Sequence, residues 1–222
     1  YTTTTGQSKK YVLAEKMHDK RRERLGLEKL SYIDENMYFV DGNPKPQGTP
    51  EEIMANGQKM YEELSPETKE FFDFMMENEL FDVLGRKTKK AGGYMTYLPK
   101  YRAPFIFANF NGTSGDVDVV THECGHAFQG YVYGSDPIEE HWDITMETAE
   151  IHSMSMEFFT EPWMNLFFKE EADTYRQMHL EDAIAFIPYG CMVDEFQHIV
   201  YSNPDLTPDE RHAAWKKLEE EY

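Results

Sequence analysis

Residues His122, Glu123, Cys124, Gly125 and His126 spell H-E-x-x-H. On an α-helix, positions i and i+4 share a face, so both imidazoles can reach one ion. Two neutral histidines suit Zn²⁺, and the glutamate between them is placed to take a proton from an attacking water. Such a site constrains the fold strongly. It needs a rigid helix for the histidines and a third donor from elsewhere in the chain, with one coordination position left open.

The flanks fit that demand. Pro104–Phe110 is an apolar, aromatic-rich run that reads as a buried strand. Asn111-Gly112 marks a turn, and Ser114 or Asp116 can cap a helix. From Asp116 the pattern is helical, with Val117, Val120, Ala127, Phe128 and Tyr131 at roughly helical spacing, ended by Gly134 and Pro137. The next strong helix begins near Thr145 and carries Glu147, Glu150 and Glu157. Glu150, Ser153, Met154 and Glu157 share one face of it. Glu150 is the favoured third ligand, with Glu147 still open on spacing alone. Glu157, two turns on, is placed to hold the N–H of a ligand histidine. His152 lies two residues from Glu150, so a helix points it about 200° away. His198 follows Asp194 at i+4, which suggests an ion pair within one helix.

Elsewhere the chain reads as mainly α with a small sheet. Helix is expected from about Ser8 to Arg24, with a basic cluster at Lys20, Arg21, Arg22 and Arg24 read as a solvated or docking face, and a stop at Gly26. Thr49-Pro50-Glu51-Glu52 and Thr207-Pro208-Asp209-Glu210 are capping boxes. Ser65-Pro66-Glu67 opens a helix running toward Leu80. Tyr94–Tyr97 and Pro104–Phe110 are short strands that could pair, and the edge of the second could add substrate backbone as an extra strand. Gly92-Gly93-Tyr94 could admit close backbone approach, or form a plain turn. Pro188-Tyr189-Gly190 is expected to kink or interrupt a helix that starts near Ala172. Residues 1–222 read as a single region.

Net charge −19 argues against nucleic acid and anionic membrane surfaces as partners. No run of about 18 apolar residues exists to span a bilayer. With only Cys124 and Cys191, no disulfide framework is implied, and a reducing cytoplasm is the natural setting.

Several separate stretches together carry a resemblance. Gly92-Gly93-Tyr94, Pro104–Phe110, Asn111-Gly112-Thr113, His122–Gln129, Glu150–Phe158 and Asp194–His198 with Tyr201, Asn203 and Pro204 are similar to the oligoendopeptidase F branch of the thimet oligopeptidase-like zinc metallopeptidases. The resemblance spans most of the chain and is densest from about Gly85 to Tyr222. It implies a zincin-like catalytic region, with one Zn²⁺ per chain held by His122, His126 and Glu150. It implies Glu123 as general base and acid, and it favours Glu150 over Glu147. It also implies a longer enzyme with helical segments before and after this one, the later segment supplying tyrosine and histidine groups. A chain running from Tyr1 to Tyr222 then reads as a central fragment.

The activity so implied is endopeptidase hydrolysis of short peptides. A related zinc carboxypeptidase or dipeptidase, or a non-catalytic peptide-binding helical domain, would share many of these letters.

Overall fold

The computed structural model describes residues 9–222 apart from Ser135 and Asp143, and only the backbone of Lys9, Lys10, Tyr11 and Glu139. The expected helix start at Ser8 lies outside the described residues. The chain divides into two compact units. One holds residues 1–43 and 177–222, the other residues 44–176.

The second unit is built on a helical pair. Helix α2 (Pro50–Leu64) starts where the Thr49 hydroxyl accepts the Glu52 N–H at 3.3 Å and the Glu52 carboxylate accepts the Thr49 N–H at 2.7 Å. Helix α3 (Pro66–Glu77) follows after Ser65, whose hydroxyl accepts the Thr68 N–H. Both open with proline at the first helical position, where no N–H is needed. Their buried faces meet through Met60, Tyr61, Phe71, Phe72 and Met75, all wholly shielded from solvent. These side chains form an apolar core beneath the sheet and the motif helix, each contributing about 1.5–3 kcal/mol by burial.

Helix α3 ends at Glu77, short of Leu80, and the chain turns into a strand that the sequence pattern did not reveal. Strands β1 (Phe81–Leu84), β2 (Tyr94–Leu98) and β3 (Ala103–Phe110) form a sheet in the order β1-β3-β2. Strand β3 is therefore central, parallel to β1 and antiparallel to β2. The expectation that β3 offers an open edge is corrected: the edges are β1 and β2, and β2 is the edge strand that packs against the helix Cys124–Tyr133. Pro104 is tolerated in a central strand because it lies opposite Tyr97, while pairing with β1 begins only at Ile106.

After β3, Gly112 adopts φ +80° at the expected turn. Neither expected cap acts as one. Ser114 makes no side-chain capping bond, and the buried Asp116 carboxylate reaches back to accept the N–H groups of Asn111 and Gly112, both at 2.8 Å. It thus fastens the strand-to-helix turn. The helix runs as α4 (Gly115–Asp118), a wider π turn (Val119–Glu123) and α5 (Cys124–Tyr133). Helix α6 (Met146–Thr160) packs across α5, and the short α7 (Asn165–Phe168) leads into α8 (Ala172–Ser202).

Of the expected kink or interruption at Pro188, the interruption does not occur: helix α8 continues through it, and the boundary between the units falls within this helix. The first unit contains α1 (Lys9–Arg24), most of α8 and α9 (Pro208–Glu221), which opens with the expected capping box at Thr207. Its basic cluster is turned partly inward rather than solvated. Arg21 is only 3% exposed and lies over the Tyr38 ring, and Arg24 grips both oxygens of Glu181 at 2.8 and 2.7 Å. Among the described residues no helix is long and apolar enough to cross a membrane.

Candidate functional site

The candidate site lies wholly within the second unit, between α5 and α6. These helices approach closely because Gly125 has no side chain. A Cβ there would fall 2.5 Å from the Ser153 Cα and 2.7 Å from the His152 carbonyl oxygen. This contact sets the α6 carboxylates against the imidazoles of the motif.

Among the described residues, one cluster could hold a metal: His122, His126 and Glu150, whose donor atoms all lie within 4.8 Å of one another. Glu150 Oε2 sits 3.3 Å from His122 Nε2 and 3.6 Å from His126 Nε2. Two donors on a tetrahedral ion with bonds of about 2.0–2.1 Å stand roughly 3.3–3.4 Å apart. The spacing and the two-imidazole, one-carboxylate donor set both fit Zn²⁺. Glu147 has no place in this cluster, nor has His152.

Two contacts orient the donors. His122 Nδ1 meets Glu157 Oε1 at 2.5 Å, which leaves Nε2 to face Glu150. Ser153 Oγ donates to Glu150 Oε2 at 2.7 Å. Burial disfavours charge on His122, but the Glu157 hydrogen bond together with the charges of Glu157, Glu123 and Glu150 outweighs it and raises the His122 pKa. Burial and the neighbouring His122 lower that of His126. Glu123 is raised above the ordinary carboxylate range by burial, against the opposing pull of His122 and of a hydrogen bond from the Met95 N–H.

That last bond locates the sheet edge. Ile106 donates its N–H to Leu80 O at 2.9 Å, toward β1, so it does not bond its partner Met95 on β2. Met95 therefore turns its N–H and C=O outward at the free edge of β2, and the N–H reaches Glu123. By alternation Tyr97 also faces outward. Gly92, Gly93 and Tyr94 lead into this edge. Gly92 adopts φ +101°, Asn109 Nδ2 donates to Gly92 O at 2.9 Å, and Tyr94 stacks on Phe107. His198 lies in the first unit, 3.8 Å from Asp194, as the i, i+4 spacing suggested.

Sequence reasoning missed the roles of Gly125, Ser153 and Met95. A glycine inside a helical pattern is a signal for close packing, and Gly125 is the case where it applied. Nothing local marks Met95, whose role comes from strand pairing.

Residues 54–222 match the model of Peptidase family M3. A Bacillus anthracis protein assigned as oligoendopeptidase F has a structure similar at TM-score 0.89 and 53% identity, covering 95% of this chain and 39% of that one. A second protein with the same assignment matches at TM-score 0.89 and 57% identity, covering 95% of this chain and 37% of the other. PZ peptidase A, solved with an inhibitor, matches at TM-score 0.90 and 57% identity, covering 95% and 38%. The chain thus spans well under half the length of these proteins. No curated protein matches it.

Proposed function

The chain belongs to peptidase family M3, and on that premise we propose that it carries the catalytic centre of a zinc-dependent endopeptidase that cuts internal bonds of short peptides. One observation carries the reading: Glu150, on a separate helix, places its Oε2 3.3 and 3.6 Å from the Nε2 atoms of the two motif histidines. In this proposal His122, His126 and Glu150 hold one Zn²⁺ per chain. The bound ion supplies a positive charge that acidifies water and polarises a carbonyl.

Glu123 takes the proton of the attacking water and passes it to the leaving amine. Burial that raises its pKa suits a group that must both accept and donate near neutral pH. The Met95 N–H steadies the carboxylate between the two transfers. Glu157 keeps His122 in the tautomer that presents Nε2.

Substrate backbone is proposed to run along the outer edge of β2, reached past Gly92, Gly93 and Tyr94, as an added strand. The restriction to short peptides is carried over from the oligoendopeptidase relatives. Residues 1–222 are proposed to belong to a single catalytic domain, and both cysteines are free, which supports a reducing, cytoplasmic setting.

The test is hydrolysis of an internally quenched peptide blocked at both ends, by the full-length protein with and without a chelator. Cleavage that stops on chelation and returns with zinc is the expected outcome. An intact blocked peptide beside trimmed free-ended ones would replace the endopeptidase with an exopeptidase. Peptide binding that ignores the chelator, without cleavage, would indicate a non-catalytic domain.

A further inference from the structure

The widened turn at Val119–Glu123 is held from outside. Tyr61, on α2, is wholly buried, with its ring stacked on Phe72 at 5.0 Å and edge-on to Phe71 at 6.3 Å. Its hydroxyl donates to the Val120 carbonyl at 2.9 Å. The thiol of Cys124, also wholly buried, lies beside the same hydroxyl. One turn earlier on α2, Gly57 lies so close to Val120 that a Cβ would meet its Cγ1 at 2.8 Å. A single phenol therefore bonds residue 120 and borders residue 124, and these two bracket His122 and Glu123.

Single π turns are rare, because their hydrogen bonds and packing are poorer than those of an α turn. Relaxing one to α register changes the phase of the following helix by about one residue, or roughly 100°. Here that would turn His122 and Glu123, both within the widened turn, against His126 and away from the Met95 N–H. We propose that Tyr61 is a positioning residue, holding the π turn through Val120 and beside Cys124 so that His122 and Glu123 stay aligned with His126. Tyr61 touches neither the ligand cluster nor the substrate edge. The inference rests on the peptidase reading for its catalytic consequence, while the clamp itself can be tested without it.

The experiment compares Tyr61→Phe, Cys124→Ser and Met60→Ala in the full-length protein. It measures kcat, KM, zinc content and hydrogen exchange of the amides of residues 119–125. Tyr61→Phe is expected to lower kcat about tenfold and to weaken zinc binding with KM unchanged, since small misplacements near the reacting atoms act on rate. Exchange should quicken in residues 119–125 and not in β3. Cys124→Ser keeps a donor and should hold kcat within about twofold of the parent. Met60→Ala removes a neighbouring buried side chain and should cost stability while leaving kcat unchanged. An unchanged kcat in Tyr61→Phe, or an equal fall in Met60→Ala, overturns the proposal. Should Tyr61→Phe not fold, Cys124→Ala takes its place with a smaller loss expected in the same direction. If the parent protein cleaves no peptide, the peptidase reading falls, and unaltered exchange in Tyr61→Phe would sink the clamp separately.

Discussion

Gly125 and Ser153 touch backbone to backbone, with room for no Cβ: one built on Gly125 would lie 2.5 Å from the Ser153 Cα. The contact fixes the distance between the helix bearing the two histidines and the helix bearing Glu150 and Glu157. Gly125→Ala should therefore act on the site as well as on stability. We expect zinc affinity to fall roughly tenfold or more, alongside a loss of about 1–3 kcal/mol from overpacking. Chelator competition and urea denaturation measure the two effects. Parental zinc affinity in the variant would show that α6 is placed by other contacts.

Glu123 stands beside the donor cluster without belonging to it. Glu123→Gln keeps the shape of the side chain and removes the base. Zinc content should stay at one per chain while hydrolysis falls about a hundredfold to ten-thousandfold. Metal analysis and steady-state kinetics on the same preparation decide it, and undiminished hydrolysis would sink the assigned role.

Glu157 accepts from His122 Nδ1 rather than facing the cluster. Replacing it by Gln leaves a neutral, reorientable amide, and the imidazole loses the partner that sets its tautomer. Zinc should bind about 10–100-fold more weakly with the three donors intact. Competition with a chromophoric chelator reads this directly. No change in affinity would reduce the Glu157 contact to packing.

The first unit offers a pH test. Burial opposes charge on Glu181, but the bonds from Arg24 at 2.8 and 2.7 Å and from Gln177 at 2.9 Å outweigh it, so its pKa lies below the usual value. A folded pKa below the unfolded one, about 4.3, means the stabilisation is complete above that pH. It is lost as pH falls through the lower folded value. Glu181→Gln should cost about 1–3 kcal/mol at pH 7, with the gap to the parent narrowing in acid. Denaturation curves at several pH values check it, and a gap that does not narrow would contradict the ion pair as its source.

Local rules made part of this protein legible from its letters. The i, i+4 spacing of His122 and His126 puts both on one side of a helix, and the flanking apolar spacing marks the stretch as helical, while the widening of its turn at Val119–Glu123 does not follow from local spacing. Thr49 and Thr207 start helices through bonds to residues three positions on, so their capping boxes need no partner from elsewhere. Helical phase puts Glu150 and Glu157 on one face of their helix, and the preference for Glu150 over Glu147 rests partly on the family resemblance.

Tertiary structure decided the remainder, because those features depend on contacts between distant segments. Strand β1 is short and its apolar run is ambiguous; it exists through pairing with β3, where Phe81 lies opposite Ile106. That pairing makes β3 central, leaves β1 and β2 as the edges and turns the Met95 N–H toward Glu123. Asp116 reads as a helix cap but serves the preceding turn, since two N–H groups there come within its reach. The π turn and its tie to Tyr61 join residues 59 positions apart. Sequence alone determined which residues could form a metal-binding helix. Packing of α2, α6 and β2 around that helix determined which carboxylates and which backbone N–H group face it, because side-chain direction across a gap is set by the neighbour and not by local spacing.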